Sequence, residues 1–307
     1  MSESKPEPDF AQLRELRATR PGAVVEAAAR RTRRPLLGAD GRLMIIAADH
    51  PARGALGVRA VADAMADRYD LLRRLVVALG RPGVDGVLGT PDILEDLLLL
   101  GALENKVVIG SMNRGGLQGA AFELDDRFTG YDADSIVAMG FDGGKMLTRI
   151  DLADPGTVAT LETSGRAVSE LAAHRVMAMV EPFLSSRVDG QVVNDLSPAG
   201  VARSVAIASG LGVTSAYTWL KLPVVEDMAT VMAATTLPAL LLGGDPTGHP
   251  DETYAKWREA LALPGVRGLV VGRTLLYPTG GDVATAVDTA VSLVHTGAAH
   301  TRAEVGR

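Results

Sequence analysis

The chain contains no cysteine. Disulfides, a thiolate nucleophile and a cysteine-ligated metal are therefore excluded, and nothing points to an oxidising compartment. Histidine is sparse and scattered. His50, His174, His249, His295 and His300 show no paired ligand spacing, so no metal is expected. An excess of positive charge is missing too. At a net charge of −6 the chain lacks the field that general affinity for nucleic acid or an anionic membrane requires, and neither is expected as a partner. Long apolar runs are also absent: the leucines at 97–100 and VATAVDTAVSLV after Gly281 are too short or too interrupted by charge to cross a bilayer. The first ten residues, MSESKPEPDF, lack the charged-then-apolar order of a signal peptide, so a soluble cytoplasmic protein is expected. No GxGxxG follows the first apolar run, and there is no P-loop and no Gly-x-Ser-x-Gly elbow. The dinucleotide fingerprint and acyl-serine chemistry thus have no support.

What is present is an alternation. With 47% hydrophobic and 22% charged residues, the 307-residue chain has the composition of a globular protein with a large core. Apolar runs bounded by turn residues predict strands at LMIIAAD (43–49), GVDGVLGT ending near Thr90, KVVIGSM from Lys106, GGKMLTRI from Gly143, RVMAMVEPF from Arg175, AYTWLKLPV from Ala216, ALLLGGD, and VRGLVVGRTLLY. Between them PDILEDLLLLGALE opens on Pro91, TVATLETSGRAVSELAAH follows the fourth strand, SPAGVARSVAIASG is capped by Ser197 and closed by Gly210, and DETYAKWREALAL precedes Pro264. Eight Val/Ile/Leu-rich strands without polar alternation, separated by helices, suit a (β/α)8 TIM barrel over 39–298 better than a doubly wound sheet. Residues 1–38 read as an N-terminal helical extension containing FAQLRELRATR and the basic cluster RRTRRP (30–35), and 299–307 as a tail. That cluster suits a helix end or a subunit contact better than a phosphate-rich partner. A long loop, 111–131, follows the third strand, where loops shape barrel pockets.

Lysine is scarce, with Lys5, Lys106, Lys145, Lys221 and Lys256 the only five, so position is informative. Lys145 and Lys221 fall inside the apolar fourth and sixth strands, where an ammonium is costly unless paired or turned into a polar barrel mouth. A desolvated lysine beside a second cation gives up its proton more readily and can attack a carbonyl; Lys145 is the candidate second cation. The iminium so formed permits cleavage of an adjacent carbon–carbon bond. The competing explanation is a structural ion pair. Glu181, ending the fifth strand in MVEPF, can take and return the proton of a substrate hydroxyl. Asp49, in AADHP, can bind hydroxyls or assist proton transfer, or merely cap a helix. His50 beside it is a further pocket candidate. Gly243 and Gly244 end the seventh strand, and Gly272 and Arg273 the eighth, where barrels hold phosphate on backbone N–H groups and a guanidinium fork.

Taken together, AADHP, GFDGGKMLTRID, VEPF, WLKLPV, GGD and VVGR resemble in order and spacing the class I aldolases that include tagatose-bisphosphate aldolase and archaeal-type fructose-bisphosphate aldolase. The resemblance spans roughly residues 43–294. It implies a Schiff-base lyase needing no metal or other cofactor, with Lys221 the imine former, Glu181 the proton-transfer residue, Lys145 its electrostatic partner and Asp49 a hydroxyl-binding residue. It also implies a homo-oligomer. The 111–131 loop departs from the compact connection of the sugar-bisphosphate enzymes. The chain is also similar to the aldolases encoded with inositol-degradation enzymes in actinobacteria, often labelled deoxyribose-phosphate aldolase. That similarity implies a phosphorylated ketose or deoxy keto-acid substrate such as 6-phospho-5-dehydro-2-deoxygluconate, with Asn113, Arg114 and Arg127 as contacts for its carboxylate or second anionic end. A transaldol or acyl-transferring enzyme and a non-catalytic sugar-phosphate-binding protein are the alternatives.

Overall fold

A strand whose residues are all apolar must be covered on both faces, and β1 (Leu43–Ala48) is buried at every position. The computed structural model describes residues 7–244 and 249–295. In chain order β1 is followed by β2 (Gly86–Gly89), β3 (Val107–Ser111), β4 (Gly143–Ile150), β5 (Met177–Val188), a short β6 (Gln191–Asn194), β7 (Thr218–Pro223), β8 (Ala239–Leu242) and β9 (Val266–Val271). All but β6 are parallel. They pair in the order β1–β2–β3–β4–β5–β7–β8–β9, and β9 returns to β1, with Leu43 opposite Gly268 and Ile46 opposite Val271. The sheet is a closed eight-stranded barrel, so the doubly wound alternative is excluded.

The helices are α1 (Phe10–Thr19), α2 (Ala23–Arg30), α3 (Arg68–Leu79), α4 (Pro91–Leu99), α5 (Ala133–Ala138), α6 (Gly156–Ala173), α7 (Pro198–Ser209), α8 (Met228–Ala233), α9 (Pro250–Leu261), α10 (Arg273–Leu276) and α11 (Val283–His295). Local chemistry sets their ends. Ser197 Oγ accepts from the Gly200 N–H, Pro198 occupies the first turn, and Gly210 follows the last residue of α7. Strand alternation divides the core in two. Leu43, Ile45 and Ala47 point inward with Val107, Ile109, Met177, Met179, Leu240 and Val270, while Met44, Ile46 and Ala48 face the helix layer.

Three differences from the sequence expectation have physical causes. The eighth strand stops at Val271 and RTLL coils into α10, because Gly272 lies against β1: a Cβ there would come within 2.4 Å of the Ala47 carbonyl oxygen. The fifth strand runs past Phe183 to Val188 and doubles back as β6, pairing Ser185 with Asn194 and Val188 with Gln191. Part of the basic cluster turns inward, under the N-terminal end of the barrel. Buried Arg31 donates to the Lys106 and Gly140 carbonyls at 2.7 and 2.8 Å, Arg33 pairs with Asp142 at 3.1 Å, and Arg34 pairs with Asp85. Leu36 packs against the interior cluster. The cluster therefore anchors the chain to the barrel floor through Arg31, Arg33 and Arg34, while Arg30 and Arg33 remain exposed. Among the described residues no helix is long and apolar enough to cross a membrane. The 299–307 tail lies outside the described residues.

Candidate active site

Alternation along four strands aims four ionisable side chains into the upper barrel. Asp49 follows β1, and Lys145, Glu181 and Lys221 lie within β4, β5 and β7. Lys145 Nζ is 2.8 Å from Asp49 Oδ2 and 2.7 Å from Glu181 Oε2, and Lys221 Nζ donates to that same Glu181 oxygen at 3.0 Å. Lys145, Lys221 and Glu181 are 2, 4 and 6% exposed. Ions this deeply withdrawn from water persist only when paired and hydrogen-bonded. Their titration follows from that pairing. Burial raises the Asp49 carboxyl, but Lys145, Lys221 and His50 outweigh it and hold it well below the usual carboxylate range. Glu181 likewise resists burial through Lys145 and Lys221 and is brought down to about 2. Burial works against the Lys145 ammonium, yet Asp49 and Glu181 leave it above its ordinary value. At neutral pH, Lys145 is a fixed cation between two anions.

Above this cluster lies a pocket of about 340 Å³. Of the side chains and glycines singled out from sequence, His50, Glu181, Lys221, Gly243, Gly244, Gly272 and Arg273 line it. Gly244 takes φ +65°, a left-handed conformation that suits glycine. The loop beyond Gly244 lies outside the described residues. Burial, with the charges of Arg273, Arg53 and Lys221, lowers His50 to about 3 against the opposing pull of Asp49 3.6 Å away, so its ring is neutral. A larger groove, about 560 Å³, runs along the outer face of α5 and α6 past Tyr131, Arg166 and Glu170. It contains neither strand-borne lysine, so the barrel mouth is the candidate site.

Three of the tentative contacts are elsewhere. Asn113 clamps the loop to β4, donating to the Leu147 carbonyl at 2.8 Å and accepting from the Leu147 N–H at 2.9 Å. Arg114 is exposed and donates to the Ala52 carbonyl and Thr129 Oγ1, and Arg127 is exposed and paired with Asp125 at 3.0 Å. None of the three lines the pocket. The loop folds back because its acids capture its own backbone: Asp126 accepts from Gly115 N at 2.8 Å and Glu123 from Gly119 N at 2.9 Å. Gln118 and Glu123 reach the pocket instead, joined by Arg53, Arg149, Gln191 and Asn194. These residues were missed from sequence. A signal existed for Arg149, which is four residues beyond Lys145 on the same face of β4. It pairs with buried Glu123. Nothing local marks Gln191 and Asn194, which depend on the β5–β6 hairpin.

A closed (β/α)8 barrel with a buried ammonium–carboxylate cluster beneath a pocket at the C-terminal strand ends is the class of protein these features define. The chain belongs to the Cgl0159-like family, which matches residues 41–291. It is similar to the crystal structure of Cgl0159 from Corynebacterium glutamicum, with 61% identity, a TM-score of 0.91, and 94% of this chain and 97% of that one covered. A Schiff-base-forming fructose-1,6-bisphosphate aldolase shares 21% identity at a TM-score of 0.62, covering 89% of this chain and 100% of that one. Fructose-bisphosphate aldolase from Slackia heliotrinireducens shares 17% at 0.60, covering 99 and 91%. At these two identities the likeness is one of fold. No curated protein matches the chain.

Proposed function

We propose that the protein is a class I aldolase in which Lys221 forms a Schiff base with a phosphorylated ketose or deoxy keto-acid. The observation that carries this reading is the hydrogen bond from Lys221 Nζ to Glu181 Oε2, 3.0 Å long, inside a cluster whose charge is fixed by Lys145. Imine formation needs a route for the ammonium proton and a donor for the departing carbinolamine hydroxyl; Glu181, in contact with the nitrogen, can serve both. Lys145 keeps Glu181 anionic between transfers. Asp49 orients Lys145, and its proposed role is to bind a substrate hydroxyl. Gly243, Gly244, Gly272 and Arg273 form the phosphate end through backbone N–H groups and the guanidinium. Retro-aldol cleavage then releases an aldehyde and leaves the other fragment as an enamine on Lys221. The resemblance to aldolases encoded with inositol-degradation enzymes makes 6-phospho-5-dehydro-2-deoxygluconate the first substrate to try.

The test is borohydride reduction with dihydroxyacetone phosphate, malonate semialdehyde and pyruvate offered separately, followed by peptide mapping. An adduct on Lys221 that disappears in Lys221→Met is the expected result. Folded protein giving no adduct with any carbonyl, yet binding the phosphorylated compounds, would replace this reading with that of a sugar-phosphate-binding protein.

A further inference from the structure

Retro-aldol cleavage requires a second proton transfer, distinct from those that build the imine: the hydroxyl whose oxygen becomes the aldehyde must lose its proton as the carbon–carbon bond breaks. Among the described residues, the titratable side chains that line the pocket are His50, Arg53, Glu123, Arg149, Glu181, Lys221 and Arg273. The arginines stay protonated throughout. Glu123 is tied to Arg149, and Lys221 is committed to the imine. Glu181 is a poor acceptor at this stage. Its Oε2 is held by Lys145 at 2.7 Å, and the positive charge on the Lys221 nitrogen persists when the ammonium becomes an iminium.

His50 is different in kind. Its Nδ1 is buried beside Asp49, 3.6 Å from the nearer carboxylate oxygen, and among the described residues the ring makes no hydrogen bond, while 18% of its side-chain surface remains exposed where it borders the pocket. A neutral imidazole keeps one lone pair for a proton, whichever nitrogen carries the hydrogen.

Resting on the aldolase reading above, we propose that His50 is the general base of the cleavage step. The proton of the substrate hydroxyl passes to the imidazole, the oxygen's electron pair forms the aldehyde carbonyl, and the carbon–carbon bonding pair moves to the iminium carbon, giving the neutral enamine. The resulting imidazolium then returns its proton to the enamine carbon, regenerating the iminium for hydrolysis. Asp49, 3.6 Å away, steadies the imidazolium between the two transfers. The charged groups acting on the ring are Asp49 after β1, Arg53 in the following turn, Lys221 in β7 and Arg273 in α10. One of these, Arg53, lines the pocket and is a cation that a substrate phosphate at the barrel mouth would neutralise. Anion binding therefore raises the basicity of His50, so that the base becomes effective when substrate is in place.

His50→Gln and His50→Ala separate this step from imine formation. The carbonyl compound among dihydroxyacetone phosphate, malonate semialdehyde and pyruvate that yields the Lys221 adduct serves as the probe. Adduct yield after borohydride is expected to stay within about twofold of the parent. Exchange of the probe's carbon-bound hydrogen in D2O is expected to fall about 10²- to 10³-fold, and added imidazole should restore exchange in His50→Ala but not in His50→Gln. Exchange within about threefold of the parent in both variants would overturn the assignment. So would loss of adduct and exchange together in a variant that melts like the parent, because His50 would then act before the imine. Absence of an adduct in the parent itself would instead remove the aldolase reading on which the proposal stands.

Discussion

Replacing Lys145 by Met removes the cation that joins two buried carboxylates while keeping the side chain's length and most of its volume. Asp49 then loses its 2.8 Å ammonium partner, and Glu181 keeps only Lys221. Deleting one member of a buried ion pair costs about 3–5 kcal/mol, because the remaining charge stays desolvated. For a domain of this size that corresponds to a drop of roughly 5–8 °C in Tm at pH 7. The pH dependence gives the sharper test. In the parent both carboxyls titrate below their unfolded values near 4, so their contribution is complete above about pH 4 and is lost only as pH falls through the folded values. Between pH 7 and 5 these two groups add no slope. In Lys145→Met burial acts with less opposition, Asp49 titrates above its unfolded value, and protonation relieves the penalty as the solution is acidified. Calorimetry should find the deficit at pH 5 less than half that at pH 7, and Asn at position 49 should restore about 1–3 kcal/mol to Lys145→Met. A melting point within 2 °C of the parent at pH 7, or an equal deficit at both pH values, would refute the claim that Lys145 bridges the two acids.

Two further predictions concern the barrel frame. His295 bridges Asp40 at 2.5 Å and Asp85 at 3.2 Å, and these partners, opposed by burial, raise it to about 9. Its contribution is complete below the unfolded value of about 6.5 and is lost as pH rises through about 9, so Tm should decline between pH 7 and 9.5 and His295→Gln should flatten that decline. A slope unchanged in the variant would assign it to other groups. Gly272→Ala would bring a Cβ within 2.4 Å of the Ala47 carbonyl and force β9 from β1 beside the pocket. A cost of at least about 1–3 kcal/mol, with a weakened Lys221 adduct, is expected from denaturant melts and borohydride trapping. Parent-like values would show that the strand ends yield without strain.

Strand existence was legible because burial on both faces writes a strand as an unbroken apolar run, and seven of the eight core runs contain the strand read from them, β5 alone running on past its run. What escaped depended on contacts distant in the chain. The α3 segment, RYDLLRRLVVAL, is amphipathic enough to be found, whereas the β5–β6 hairpin pairs polar Ser185 with polar Asn194 and carries no apolar signal. The inward contacts of the arginine cluster were not legible because arginine is usually exposed. Its partners Asp85, Gly140 and Asp142 lie 51 to 109 residues away, at the starts of other strands.

For the site, the deciding information was the phase of each strand. Leu43, Ile45 and Ala47 face the interior, and continuing that alternation by one step places Asp49 there. The same rule carries Met177 and Met179 to Glu181, and Trp219 to Lys221. On β4 it sets Lys145, Leu147 and Arg149 in one inward column, two of them lining the pocket and the third beneath it. A lysine in an apolar strand says only that some partner must exist. Phase says that its neighbours two and four residues along share its surroundings, and in a barrel that the inward residues of β1, β5 and β7 do as well. The loop arginines Arg114 and Arg127 had no such constraint, since charge alone does not orient a side chain on a surface loop, and each found a partner nearby. Phase is equally silent on His50. It is the first residue past the inward column of β1, where the chain leaves the sheet, and its place at the pocket edge is set by the turn at Pro51–Arg53. The inward columns supply a site with fixed charge and little freedom to exchange protons; the turn adds a neutral imidazole that makes no hydrogen bond among the described residues, and the division of labour proposed between Glu181 and His50 follows from that difference.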